Sequence, residues 1–357
     1  MLDFTSALYL GIRHASGSLR PWAQLTLGVP AALKAPPHAD AVADRLAHLI
    51  GCERATLGTS TLHLFWDLFG LLSSERIAIY VDAGTYPIAR WGVERALARG
   101  ALVHGFAHHN VAALRQALAR DERSGCRPFV VTDGFCPVCG HHAPLRAYLD
   151  SVREYGGRLI IDDTQALGIF GHSARARGPY GKSGGGSLQW WGIDGEDVIL
   201  IASLAKGFGV PLAAMAGSHT AIDRFEQRSE TRVHCSPPSV AVIHAVEHAL
   251  DVNEARGDLI RLQLARHVQY FHSGMRTAGL TTTGGLFPVQ TLIPAPDLDA
   301  TRLYERLLQL GIQTILHPVR NGRGTTISFI ITARHPPEEL GDLVDALASA
   351  TARSIVR

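Results

Sequence analysis

Between Arg76 and Ala202 the chain alternates short apolar runs with helically spaced stretches, a rhythm that few architectures accept. Arg76–Val81, Ala101–Phe106, Pro128–Thr132, Arg158–Ile161 and Val198–Ala202 read as buried strands. Ile88–Arg99, Val111–Ala119 and Leu145–Tyr155 read as the helices between them. Such alternation predicts an α/β domain with a mostly parallel sheet between helices. Ligands in these folds bind outside the carboxyl ends of the strands. Asp133, Asp162, Ser203 and Lys206 all fall at such ends.

Around this centre the organisation changes. Residues 1–40 are mixed and proline-containing and read as an N-terminal arm. Residues 41–235 form the expected large domain, opened by helices over Ala41–Leu49 and Leu62–Leu72. From 236 to 357 the pattern predicts a smaller α+β domain. It holds a long helix over Val240–Thr277, short strands near 286–293 and 325–331, and helices over Leu303–Leu310 and Pro337–Thr351. A chain of 357 residues, 46% hydrophobic, suffices for two cores. A formal net charge of +2 with no basic run argues against a nucleic-acid partner. No apolar run reaches the ~18 residues that cross a bilayer. The start, MLDFTSALYLGIRHASG, lacks the basic head and long apolar core of a signal peptide, so the expected location is cytoplasmic. Five cysteines, an odd number, read as free thiols.

Lys206 stands apart on composition. The chain has 34 basic residues, of which three are lysine: Lys34, Lys182 and Lys206. The first two lie in proline- or glycine-rich loops, whereas Lys206 follows the run Val198–Ala202. Arginine cannot replace lysine where a neutral amine must attack a carbonyl. Apolar surroundings disfavour the charged amine and make it available as a nucleophile. The competing reading is a strand-end lysine that reaches water. Asp162 closes another apolar run, where a carboxylate is costly unless something positive meets it. A protonated ring nitrogen would serve, and Gln165, three residues on, could reach an oxygen of the same ring; helix capping or metal binding are the alternatives. Tyr86 sits in a loop after a strand and could stack on a flat ring. Gly58-Thr59-Ser60 precedes a helix, an arrangement that receives phosphate or simply caps the helix. Cys136-Pro-Val-Cys139 with His141 and His142 has half the ligands of a zinc ribbon. The remaining cysteines are isolated, so no metal is assigned; a non-catalytic zinc-knuckle interaction protein is kept as an alternative.

The segments LGTS (57–60), TDGFCPVCGHHAPL (132–145), IIDDTQALGIFG (160–171) and SLAKGFG (203–209), in this order, resemble the α-oxoamine synthase family. These are fold-type-I pyridoxal-phosphate enzymes of the class I and II aminotransferase superfamily. The resemblance implies a large domain with a seven-stranded-type sheet, a smaller C-terminal domain, and a homodimer with active sites at the subunit boundary. It implies that Lys206 holds pyridoxal 5'-phosphate (PLP) as an internal aldimine and moves protons at the substrate α-carbon. Asp162 would pair with the pyridine nitrogen and Tyr86 would stack on the ring, where the family usually has histidine. Gln165 replaces the histidine that contacts the ring oxygen. Ser203, Asp133 and Gly58-Thr59-Ser60 would line the cofactor, and Ser236 would reach the neighbouring subunit's phosphate. The implied reaction condenses an amino acid with an acyl thioester, on coenzyme A or a carrier protein, through an external aldimine and quinonoid. An aminotransferase on the same scaffold is the alternative. Leu316-His317-Pro318 stands where the family's carboxylate-gripping arginine is expected, with Arg320 and Arg323 nearby.

Overall fold

The computed structural model describes residues 1–172, 178–293, 298–319 and 324–352. Two compact units emerge. One comprises 12–136 and 142–257; the other comprises 1–11, 137–141 and 258–357.

The larger unit is built on a seven-stranded sheet. Its spatial order is Arg54–Gly58, Ala213–Gly217, Val198–Ser203, Arg158–Asp162, Arg127–Asp133, Ile77–Asp82 and Leu102–Phe106. Only Ala213–Gly217 runs against its neighbours; the other pairings are parallel. The central strands are apolar along both faces because helices cover both. On one face Ile79, Val81, Phe129, Val131, Ile160 and Ile201 pack with Leu64, Phe65, Leu68, Phe69 and Val93. Parallel strands bring their carboxyl ends to one rim. Asp82, Asp133, Asp162 and Ser203 each close such a strand. The reversed strand starts at that rim, and Ala213 lies opposite Gly58 on one side and Ser203 on the other.

The Arg54–Gly58 strand was not expected. Its sequence, RATLG, is short and mixed, and as an edge strand it needs only one apolar face. The expected elements otherwise recur with ends shifted by a few residues, and Val240–Thr277 has the expected bounds.

The smaller unit carries an antiparallel sheet in the order Thr282–Thr283, Val289–Leu292, Thr325–Ile330, Ile315–Pro318. Helices Ala300–Gln309 and Pro337–Ala352 accompany it. The first residues are part of this unit rather than a loose arm. Leu2–Asp3 pairs with Ile312–Gln313, and Phe4 and Tyr9 are buried. Ile330 N–H donates to Phe4 O at 2.8 Å and Ala333 N–H to Tyr9 O at 2.9 Å. Residues 236–257, read from sequence with the small domain, group with the larger unit. The first half of the long helix is tied there: Val240 N–H donates to Leu25 O, Arg20 pairs with Glu247, and Asn253 donates to Ser183 O. Among the described residues no helix is long and apolar enough to cross a membrane.

Candidate active site

Lys206 follows the Val198–Ser203 strand in a closed loop. Leu204 N–H donates to Leu212 O at 2.8 Å, and Phe208 and Val210 N–H both donate to Leu204 O. His14, from the expected arm, bonds Phe208 O through Nε2 at 2.9 Å. Lys34 and Lys182 are exposed, whereas Lys206 is half-buried. Burial holds its amine below the usual lysine range, and the charges of Asp162 and Asp133 oppose this only in part. The Nζ atom lies 5.9 Å from the centre of the Tyr86 ring.

Asp162 is 6% exposed. Burial raises its pKa; hydrogen bonds from the Thr164 side chain and backbone and the charge of Lys206 restrain the rise. Thr164 N–H donates to Asp162 Oδ1 at 3.0 Å, while Thr164 Oγ1 accepts from Ser203 N–H at 3.0 Å. One threonine thus joins the end of the Asp162 strand to the end of the Ser203 strand. Asp133 lies directly across from Asp162 on the next strand. Its Oδ1 accepts the Tyr86 N–H at 2.9 Å, which ties the tyrosine's loop to the carboxylates. Gln165 is half-buried in the turn after Asp162.

The second expected group gathers farther along the rim. Ser60 caps the helix Thr61–Leu72, its side chain accepting from His63 N–H, and His63 Nδ1 lies 2.7 Å from Ser60 Oγ and 3.2 Å from Thr59 Oγ1. Gly58, Thr59, His63, Arg232 and Ser236 line one small recess. Ser236 is therefore beside its own chain's Gly58-Thr59 turn.

Asp163 does something else. It is fully buried and Ser187 N–H donates to its Oδ2 at 2.9 Å. A Cβ at Gly134, or at Gly186 with its φ of +85°, would overlap this carboxylate. Gly186 and Ser187 therefore close around Asp163 from one side and Gly134 from another. Gly168 N–H donates to Gly184 O, and Gly186 N–H to Phe170 O.

Sequence reasoning passed over three residues. Thr164 was legible, as a hydroxyl next to two strand-end acids. Asp82 carries the same signal as Asp133 and Asp162. It is fully buried and accepts from His108 Nδ1 at 2.7 Å, His109 N–H at 3.0 Å, Gly84 N–H at 2.6 Å and Tyr148 Oη at 2.8 Å. Burial alone would raise its pKa; these donors reverse that and leave it below the usual carboxylate range. His14 had no local signal.

The His142 ring stacks on Trp190 at 4.5 Å and meets Phe135 and Phe170 edge-on, and Cys136 is buried. Arg320 and Arg323 lie outside the described residues.

Comparison with known proteins agrees with this architecture. The family model for aminotransferase class I and II matches residues 27–347. An 8-amino-7-oxononanoate synthase from Pseudescherichia vulneris is 28% identical, over 97% of this chain and 88% of its own length. One from Sodalis glossinidius is 26% identical, over 98% and 88%. Among solved structures, serine palmitoyltransferase from S. paucimobilis superposes with a TM-score of 0.85 at 16% identity, covering 99% of this chain and 88% of that one. The 8-amino-7-oxononanoate synthase of Francisella tularensis gives 0.74 at 15%, covering 99% of each. At these identities the structural likeness establishes the fold, while the family match establishes membership. With a strand-end lysine facing buried carboxylates, the chain belongs to the aminotransferase class I and II family, PLP-dependent enzymes of fold type I.

Proposed function

We propose that this protein is a PLP-dependent transferase that joins an amino acid to an acyl thioester. One observation carries the reading: the only lysine amine enclosed by the fold among the described residues faces two carboxylates at the sheet rim. The residues fit the cofactor by their chemistry. Lys206 supplies an amine of reduced basicity, Asp162 a buried carboxylate for a ring nitrogen, and Tyr86 an aromatic face. Gly58-Thr59-Ser60 supplies a helix start for a phosphate, with Ser236 on the same recess. Bound there, PLP supplies an electron sink for a carbanion beside the substrate nitrogen.

The chain's own residues set the rest. Lys206 would anchor the cofactor, and its amine would take and return the proton at the substrate α-carbon. Thr164 and Ser203 fix the strand ends between which Lys206 works. Gln165 would face the ring oxygen without adding a charge at any working pH. The names of the relatives favour acyl transfer. The breadth of the matched family keeps amino transfer as the second reading. Incubation with amino acids and acyl-CoA is expected to release free thiol in an amino-acid-dependent way. Absence of thiol with every acyl donor, together with keto-acid-dependent amine transfer, would establish the second reading instead.

A homodimer is part of this proposal. Leu62 and Trp66, one turn apart on Thr61–Leu72, are exposed, as are Tyr86 at the start of Pro87–Ala98 and Trp91 on it, a helix that packs against the first. Exposed large apolar groups of this kind mark interaction surfaces. Sedimentation is expected to give twice the chain mass, and Trp66→Glu to shift the species towards monomer. A monomeric wild type at micromolar concentration would sink the dimer.

A further inference from the structure

Asp133 and Asp162 end neighbouring parallel strands and sit directly across from each other. Adjacent strands are about 4.8 Å apart, so two charges here would repel strongly in a poorly hydrated site. Their surroundings are unequal. Asp162 receives hydrogen bonds from the Thr164 backbone and side chain and feels the charge of Lys206. Asp133 receives the Tyr86 N–H and has Asp162, Asp82 and Cys136 facing it from three neighbouring segments. Asp162 has three favourable influences and the adjacent acid Asp163, whereas Asp133 has one hydrogen bond and the amine of Lys206 against Asp162, Asp82 and the Cys136 thiol.

We propose that Asp133 is the proton-holding partner of Asp162, a positioning residue that leaves a single negative charge beneath Lys206. The consequence concerns the lysine. With both carboxylates ionised, the amine would be held as ammonium and could neither attack nor accept a proton. With Asp133 neutral, one charge remains for the heterocycle nitrogen, and the lysine's basicity stays reduced. The same protonated carboxyl keeps its other oxygen on the Tyr86 N–H, so one side chain both lowers the local charge and sets the aromatic loop. The direction of the Asp133 pKa, raised well above the usual range by burial and by the charge of Asp162, agrees with this.

The proposal takes its purpose from the reading of Lys206 as cofactor anchor, but its test does not need the cofactor. Infrared difference spectra of the apo protein are recorded at about pH 8, above the range of Asp163. Wild type minus Asp133→Asn is expected to show a protonated carboxyl band, and wild type minus Asp162→Asn an ionised carboxylate band. Two ionised bands, two protonated bands or the reverse assignment would overturn it. A second readout follows in the loaded protein. Asp133→Asn, a neutral isostere, is expected to weaken PLP affinity by less than Asp162→Asn does, and Asp162→Asn by more than about tenfold. Loss in Asp133→Asn equal to that in Asp162→Asn overturns the neutral role. A protein that binds no PLP would overturn the proposed function while the apo spectra still decide the proton's place.

Discussion

Lys206→Ala will leave a folded protein that retains no PLP after borohydride treatment and denaturation, with turnover down by at least about 10³-fold. The expectation follows from position. Lys34 and Lys182 are exposed loop residues, so no other amine can take over. The loop from Leu204 to Leu212 is closed by backbone hydrogen bonds that do not involve the lysine side chain, so the fold should survive the truncation. Mass spectrometry of the reduced, digested protein is the direct check. Covalently attached cofactor on any other peptide of the Lys206→Ala variant would show that the anchor had been misassigned.

The adjacent acids are expected to separate cleanly. Asp162→Asn should cost about 10²-fold or more in kcat with little change in melting temperature, because it removes charge stabilisation at the site. Asp163→Asn should act on stability instead. Burial pushes Asp163 up to about 7 from an ordinary value of 3.8, against hydrogen bonds from Ser187. The folded state therefore holds this proton more tightly than the unfolded chain. Its contribution to stability is complete below pH 3.8 and is lost as pH rises through about 7. The shift corresponds to about 4 kcal/mol over that window. Asp163→Asn cannot ionise, so thermal unfolding measured from about pH 4 to 8 should lose this part of the slope, and the variant should gain on wild type towards pH 8. Parallel pH profiles for the two proteins would contradict it. Equal loss of turnover in Asp162→Asn and Asp163→Asn would show that the wrong carboxylate had been placed at the ring.

Much of this site was readable from residue order. A carboxylate or lysine that closes an apolar run must sit at the rim of a parallel sheet, and that placed Asp133, Asp162, Ser203 and Lys206 together. Side-chain pairing was less legible. Thr164 links two strands that are separated in the chain by residues 163–197, and its bond to Ser203 spans 39 positions. Gly134 and Gly186 close on Asp163 because a glycine lets the backbone approach a carboxylate that a side chain would exclude, and nothing local in the sequence announces that partner. Phe4 and Tyr9 show no periodicity. Their burial depends on backbone bonds to Ile330 and Ala333, over 300 residues away, and no local pattern announces such a partner. The same holds for His14 and Phe208.

The closed turn between Ser203 and Ala213 also limits how the amine can travel. Its peptide groups are fastened at Leu204, Phe208 and Val210, and His14 braces the far side. Exchange of one nitrogen partner for another must then come from rotation about the four side-chain bonds of a single lysine, while the main chain stands still. Slow deuterium uptake at those amides, unchanged by a bound amino acid, is what such a swinging arm on a fixed post would leave behind.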